Sequence, residues 1–247
     1  MNLAQFGPFF ALEPWRPNEV WRPLDEFVSD PAVLADRIAT AGTVLAGRAG
    51  LAADALDQRV IASTVSLGLF ARLLSPAFAA TVATGAVPPL KVANLWWRPV
   101  IVGPLPMATS ATDPPVPATD PAAMFADRIV AGIVAPVLAM FAHRYRLSLK
   151  VLWGNAASAL AGAATMLAAA DPAVTERAGS LAEAVLDLPP LLGTGCFERP
   201  DPAQPRGFFV RRSCCLFYRI PAGGTCGDCV LTPTGVRRAQ WRAALTS

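Results

Sequence analysis

The chain has 247 residues, of which 53% are hydrophobic and 16% are charged, and its formal net charge is +3. This composition excludes a disordered segment, and the absence of long lysine or arginine runs argues against a nucleic-acid-binding protein. The length suits one large domain, or one domain with a small appended module.

The first fifteen residues do not resemble a secretory signal. No positive charge precedes their short apolar stretch, and prolines interrupt it at Pro8 and Pro14. We therefore expect a cytoplasmic protein. Because cysteines are kept reduced in the cytoplasm, the five cysteines of the chain are better explained by metal binding, catalysis or burial than by disulfides.

A repeated signal, a short polar residue followed by proline, predicts where helices begin. It occurs at Asp30-Pro31, Ser75-Pro76, Asp120-Pro121, Asp171-Pro172 and Thr232-Pro233. The predicted helices cover residues 31–47, 52–74, 121–145, 149–170, 172–187 and 233–245. The chain is therefore predicted to be mainly α, with a helical body.

One stretch between the predicted helices has a different composition. Residues 91–102 are rich in tryptophan and β-branched side chains, which favours one or two short strands. We therefore expect a small β-sheet beside the helical body, which makes the predicted fold class α+β. The next stretch, 103–121, holds six prolines among threonines and alanines. It predicts a loop without a regular strand ladder.

Residues 151–170 form a run of twenty residues without a formal charge, which is long enough to span a bilayer. Alanine is the commonest residue in it, and Asn155, Ser158 and Thr165 interrupt it. Its insertion energy is therefore well below that of a leucine-rich or phenylalanine-rich span. We expect a buried helix, and a peripheral contact of the alanine-rich face with the inner membrane stays open.

A domain boundary is predicted near residue 190, where prolines at 189 and 190 and glycines at 193 and 195 end the helical pattern. This divides the chain into a helical body, 1–190, and a C-terminal cysteine module, 191–247. From Arg206 onward, seven arginines and one acidic residue, Asp228, give this end a charge of +6, so the rest of the chain sums to −3. The positive charge is concentrated around the cysteines.

Four cysteines lie within sixteen residues, in the pattern C-C-x10-C-x2-C. The pair Cys226 and Cys229 suits zinc or an iron–sulfur cluster equally. The adjacent pair Cys214 and Cys215 is less suited to one tetrahedral ion because neighbouring side chains diverge, whereas a binuclear cluster spreads four thiolates over two irons. The spacing favours iron–sulfur over zinc, without assigning each cysteine to an iron.

This C-terminal pattern resembles the signature of the FhuF-like ferric siderophore reductases, and all four cysteine positions match. The resemblance implies a 2Fe-2S cluster on Cys214, Cys215, Cys226 and Cys229, and one-electron reduction of siderophore-bound Fe(III) to release Fe(II) in the cytoplasm. Siderophores offer hard oxygen donors suited to Fe(III), and Fe(II) has less charge to hold them. Since no nicotinamide or flavin motif is present, the expected donor is another protein, such as a ferredoxin.

Seven further residues are candidates for contact with the ferric siderophore. Arginines near the cluster would raise its reduction potential and attract an anionic chelate, or else form a solvated basic face. Tryptophans with a polar neighbour would line a cleft for a flat chelate, although tryptophans are more often core residues. These candidates are Arg211, Arg212, Arg219, Trp96, Trp97, Trp153 and Asn155.

Two residues have simple explanations outside the site. We expect Cys196 to be a small buried hydrophobe, with a spare ligand or redox partner as the alternative. His143 is the one histidine in the chain, which excludes two-histidine metal sites, and we expect it at the surface or at a helix end.

Two other functions stay open at this point. The first is a 2Fe-2S electron-transfer protein that serves another acceptor. The second is a structural zinc-binding interaction module, whose basic tail would suit an acidic partner or a nucleic acid. A siderophore synthetase ranks last because no ATP-binding motif is present.

Overall fold

The computed structural model describes residues 3–52, 54–201 and 206–246. Helices hold 56% of the chain and strands about 9%, which confirms a mainly α fold with small sheets. Some residues outside these ranges belong to the predicted helix 52–74 and to the predicted domains 1–190 and 191–247. The division into those two domains stays a prediction.

The helices follow the predicted order along the described residues. Residues Ala126–Val134 form a π-helical segment that joins two α-helices, so 121–145 is one continuous helical stretch, as predicted. The α-helices are α1 (Glu26–Ser29), α2 (Pro31–Arg48), α3 (Gln58–Thr84), α4 (Pro121–Phe125), α5 (Ala135–Tyr145), α6 (Leu149–Ala170), α7 (Thr175–Leu186) and α8 (Thr234–Thr246).

The aspartate–proline pairs begin helical segments through their side chains. Asp30 accepts a hydrogen bond from the Ala32 amide, Asp120 from the Ala123 amide and Asp171 from the Ala173 amide. Each cap satisfies a backbone N–H that has no partner within its own helix. These three predicted helix starts are confirmed.

The helix start predicted at Ser75-Pro76 is wrong. Pro76 lies inside α3, which begins at Gln58 and continues to Thr84, where Gly85 ends it in the left-handed conformation with φ 70°. The proline removes one helical hydrogen bond, but both Ser75 and Pro76 are buried in the centre of the fold. Tertiary packing of this helix outweighs the local signal.

Among the described residues, the strands form three small sheets. The largest has the order β1-β5-β4-β2, with β1 parallel to β5 and the other pairs antiparallel. Two antiparallel pairs, β3 with β6 and β7 with β8, make the other sheets. The strands are β1 (Glu13–Pro14), β2 (Arg22–Pro23), β3 (Ala86–Val87), β4 (Leu95–Trp97), β5 (Met107–Thr109), β6 (Val116–Pro117), β7 (Gly195–Glu198) and β8 (Phe208–Arg211).

The sheet expected within 91–102 is present as β4, but the loop predicted for 103–121 is wrong in part. Strands β5 and β6 both lie in that stretch. The prolines at 104, 106, 114 and 115 flank the strands, and Pro117 belongs to an edge strand, where a missing N–H is tolerated.

The centre of the fold is the pair of helices α3 and α6, which pack along each other. Ala156, Ala157 and Leu160 of α6 and Phe70 and Leu74 of α3 have no exposed surface. The small alanine side chains of α6 let the two helices approach closely, so the alanine-rich stretch forms a buried helix as predicted.

Within the described ranges, three helical stretches have the length and apolar composition needed to cross a membrane. They are Gln58–Thr84, Pro121–Tyr145 and Leu149–Ala170, and the buried shares of their most apolar windows are 72%, 50% and 61%. Much of their apolar surface therefore forms the core of this fold.

The C-terminal module lies against α6 at a glycine. A Cβ atom added to Gly154 would collide with Ser213 Oγ and would lie 3.3 Å from Arg211 Nη2. Gly162, two turns later on the same helix, is exposed and has nothing within 4 Å of such an added atom. The close contact at Gly154 sets the distance between the helical core and the strand β8 that leads into the cysteines.

We expect Gly154→Ala to lower the free energy of unfolding by about 1–3 kcal/mol, because the added methyl group overpacks the contact with β8. The matched variant Gly162→Ala should raise it by up to about 1 kcal/mol, because alanine is the better helix former. Urea unfolding measures both. Equal effects of the two variants would contradict the close contact.

Candidate metal centre

The four clustered cysteines lie in the chain between β8 and α8, against the first half of α3. Cys214 and Cys215 follow β8, and a 3-10 turn at Phe217–Arg219 separates them from Cys226 and Cys229. Cys215 and Cys229 are buried, with 3% and 2% of their surface exposed, whereas Cys214 and Cys226 are half-buried. The fold therefore brings both predicted pairs to one partly covered place.

Two of the sulfurs lie at the distance expected for one metal ion. The Sγ atoms of Cys215 and Cys226 are 3.5 Å apart, and metal–sulfur bonds of about 2.3 Å give a tetrahedral edge of about 3.8 Å. The hydrogen bond between the two sulfurs lowers the pKa of Cys215 to about 6. The same hydrogen bond raises the pKa of Cys226.

Backbone amides point at two other sulfurs. The amide of Leu216 donates to Cys214 Sγ at 3.3 Å, and the amide of Leu231 donates to Cys229 Sγ at 3.4 Å. Leu216 has a φ of 67°, which is rare for a side chain of this size. Such N–H···S bonds stabilise thiolates and tune the potential of iron–sulfur clusters.

The four thiols are neighbours without converging on one point. Among the described residues, no three side chains of His, Cys, Asp or Glu are grouped closely enough to hold a single metal ion. A four-thiolate zinc site would need all its sulfurs within one tetrahedron, whereas a 2Fe-2S cluster divides four thiolates between two irons.

A buried positive charge lies behind the cysteines. Arg211 has no exposed surface, and its Nη2 donates to Asn155 Oδ1. Its Nε and Nη1 atoms are buried without a hydrogen-bond partner among the described residues. Burial raises the pKa of the Cys214 thiol, and the guanidinium only partly opposes this shift. It also contributes, as a minor cause, to the lowered pKa of Cys215. Since a buried charge requires a counter-charge, this environment fits an anionic thiolate cluster.

Asn155 connects this charge to the helical core. Its Nδ2 donates to Ser63 O, Ser63 Oγ and Ser66 Oγ at 3.0, 3.1 and 2.9 Å. Ser63 Oγ in turn donates to the carbonyl of Cys215 at 2.7 Å. A continuous hydrogen-bond network therefore runs from Arg211 through α6 and α3 to the first cysteine pair.

Three of the residues predicted to contact substrate are buried, which corrects that part of the prediction. Asn155 and Arg211 have no exposed surface, and Trp97 is 3% exposed with its Nε1 donating to the carbonyl of Pro23. Each side chain is engaged inside the protein, so none can line an open cleft. Asn155 and Arg211 support the cysteines instead.

The other four predicted residues do not form one cleft. Trp96 stacks on Trp15 in the four-stranded sheet, with ring centroids 4.9 Å apart. Trp153 and the exposed Arg212 border the same cleft of about 300 Å³. Arg219 is exposed, 3.9 Å from the Asp57 carboxylate at the start of α3. Only the pair of Trp153 and Arg212 is brought together.

The expected burial of Cys196 is wrong. Cys196 is exposed on β7, where it pairs in register with Val210. It lies in a two-stranded sheet, one face of which is not covered by a helix at that position. His143 is exposed in the last turn of α5, as predicted.

Sequence reasoning missed the part of α3 that borders the centre. Thr64 and Leu67 line a cleft of about 220 Å³ together with Phe217, Cys215 and Cys226. The signal that could have revealed this contact is the pair of serines, Ser63 and Ser66, near the start of a mainly apolar helix.

A comparison with protein-family models matches residues 211–231 to the FhuF 2Fe-2S C-terminal domain. The match contains all four clustered cysteines and confirms the predicted resemblance to FhuF-like proteins. The domain and the cysteine cluster together fit a 2Fe-2S cluster. No curated protein is significantly similar to the chain.

We expect Cys226→Ser to abolish cluster assembly, because it removes one sulfur of the close pair. The purified protein should lose the visible absorption and the two irons and two sulfides of a 2Fe-2S cluster. Cys196→Ser is the matched control and should keep the full content. Iron and sulfide analysis checks both, and loss of iron in the control variant would contradict this assignment of ligands.

Proposed function

We propose, on the premise of a FhuF-type 2Fe-2S C-terminal domain, that this protein is a ferric siderophore reductase. It delivers one electron to siderophore-bound Fe(III), and Fe(II) is released in the cytoplasm. The observation that supports this is the match of residues 211–231 to that domain, together with a cleft bordered by the sulfur-bearing residues Cys215 and Cys226. A substrate in that cleft lies next to the centre.

The proposed reaction needs electron transfer but no covalent catalysis. When bound, a 2Fe-2S cluster supplies a one-electron couple. The Fe(III) of the substrate becomes Fe(II), which has less charge to hold hard oxygen donors and therefore exchanges out of the chelate. No nucleophile or general base is required.

Residues of the chain set the environment in which this electron moves. Burial of Cys215 and Cys229 excludes water from one side of the centre, and amide N–H groups face two sulfurs. The buried charge of Arg211 stabilises the more negative, reduced state and so raises the potential. Cys226 is half-buried and borders the cleft, which leaves a short path to the substrate.

The electron donor in this proposal is an acidic protein such as a ferredoxin. From Arg206 onward the chain carries seven arginines and one acidic residue, and Arg212 and Arg242 are exposed, so this end of the chain is positively charged. Such a surface attracts an acidic partner and increases its association rate. The proposal includes no nucleic-acid partner. It places the protein in the cytoplasm and leaves open a peripheral contact with the inner membrane.

Arg211→Gln tests the role of the buried charge. We expect the reduction potential to fall by on the order of 100 mV, because a nearby charge in the protein interior is weakly screened. Arg212→Gln removes the adjacent but exposed charge and should change the potential much less. A redox titration followed by visible absorbance measures both. Equal shifts would contradict the assignment of Arg211 as the counter-charge.

The reductase itself is tested with dithionite-reduced protein under anaerobic conditions. A ferric trihydroxamate chelate should restore the visible absorbance, and a ferrous-specific dye should trap about one Fe(II) per cluster oxidised, as a one-electron couple requires. Cys226→Ser should release none.

Ferricyanide, a small oxidant that needs no binding site, is the control acceptor. Reoxidation by ferricyanide but not by ferric chelates would contradict the reductase and identify an electron-transfer protein for another acceptor. Colourless protein with stoichiometric zinc would contradict both and indicate a structural module.

A further inference from the structure

We propose that an anionic ferric chelate binds in a cleft between α2, α3 and the loop after β4, and reaches the cysteines along one face of α3. This inference rests on the proposed function and assigns a place and a charge class to its substrate. It replaces the tryptophan-lined cleft expected from the sequence.

The first observation is that the cleft shares a wall residue with the smaller cleft at the cysteines. It has a volume of about 320 Å³, and Thr64 and Gly68 of α3 are part of its wall. Thr64 also lines the smaller cleft bordered by Cys215 and Cys226. Residues four apart lie on the same face of a helix, so the face of α3 that carries Gly68 and Thr64 leads from the larger cleft towards the smaller one.

The second observation is the charge of the cleft. Arg37 and Arg48 of α2 belong to its wall, and no acidic residue does so among the described residues. Neither arginine has an ion-pair partner in the described part of the chain, and Arg37 donates to the carbonyl of Val100 at 2.7 Å. Two uncompensated positive charges favour a ligand with net negative charge.

The third observation is the apolar wall. Phe9, Phe27 and Leu45 line the cleft, and Ile101 and Val102 at its edge are 73% and 57% exposed. Exposed apolar side chains beside a cleft indicate a ligand with apolar parts, and most small-molecule sites combine apolar walls with a few charged groups. A ferric chelate with carboxylate groups and hydrocarbon arms has this chemistry.

A competing cleft lies on the other side of the module. It has about 300 Å³ and is bordered by Trp153, Lys150 and Arg212, but among the described residues it shares no wall residue with the cleft that Cys215 and Cys226 border. The cleft at α3 is therefore the better place for an acceptor.

One electron arrives from the external donor and one leaves with each Fe(III) reduced to Fe(II), and no bond within the chelate's organic ligand breaks.

Gly68→Leu is the variant that fills the proposed cleft. A Cβ atom at Gly68 has nothing within 4 Å, so the larger side chain enters empty space, and leucine also favours the helix. Gly162→Leu is the matched control, because Gly162 is an exposed helical glycine with equally free space on α6. Both variants should keep the wild-type visible spectrum and react normally with ferricyanide.

Binding is measured with Ga(III) chelates, which match Fe(III) chelates in charge and size but are not reduced. Isothermal titration to the oxidised, cluster-containing protein should show that Gly68→Leu raises the Kd of a carboxylate-containing hydroxamate chelate of negative charge by about tenfold. Gly162→Leu should leave this Kd unchanged. The same ratio should appear in the reoxidation rate with the Fe(III) chelate at low concentration.

The charge is tested with Arg48→Gln, which changes an exposed side chain at the end of α2. It should weaken the anionic Ga(III) chelate by roughly two- to fivefold, as expected for one exposed charge pair, and should not affect a neutral trihydroxamate. Arg177→Gln, which removes an exposed charge on α7, is the control.

The outcomes separate the two proposals. If wild-type protein reduces ferric chelates and Gly68→Leu binds and reduces them equally well, the location is wrong and the reductase stands. If Gly68→Leu weakens chelate binding but Arg48→Gln affects the anionic and the neutral chelate equally, the location stands and the charge class is overturned. If wild-type protein neither binds Ga(III) chelates nor reduces ferric ones, the proposed function fails and this inference fails with it.

Discussion

The burial of the Arg211 guanidinium is the constraint on which the metal centre depends. It has no exposed surface, its Nη2 is held by Asn155, and two of its nitrogens have no protein partner among the described residues. A charge in this position is costly unless an opposite charge lies nearby. Thiolates that hold iron supply that charge, so the arginine, the cysteines and the cluster stabilise one another.

The same arrangement gives the centre two unlike sides. On the inner side, Asn155 and Ser63 attach the cysteine loop to the paired helices α3 and α6 through hydrogen bonds. On the outer side, Cys215 and Cys226 border a cleft with α3. The rigid core fixes the position of the sulfurs, and the cleft leaves them within reach of an acceptor. Helix α3 therefore contributes to both sides.

The parts of this structure that were predictable are those encoded by neighbouring residues. The cysteine pattern, the caps at Asp30, Asp120 and Asp171 and the apolar helices are all local signals. The helix start predicted at Ser75-Pro76 was wrong because the packing of α3 outweighs a local signal. The roles of Arg211 and Asn155 were missed because they depend on contacts between residues 56 and 92 positions apart. Polarity in the sequence marked these residues as unusual but could not show which way they face.

The hydrogen bond between Ser63 and Cys215 joins residues 152 positions apart, so the cysteine loop attaches to a surface built by the first two thirds of the chain. Contacts of such long range form late in folding, since they close a large loop and need their partner surface in place. A change that loosens the packing of α3 against α6 therefore displaces the cysteine loop as well, even when it lies far from the sulfurs.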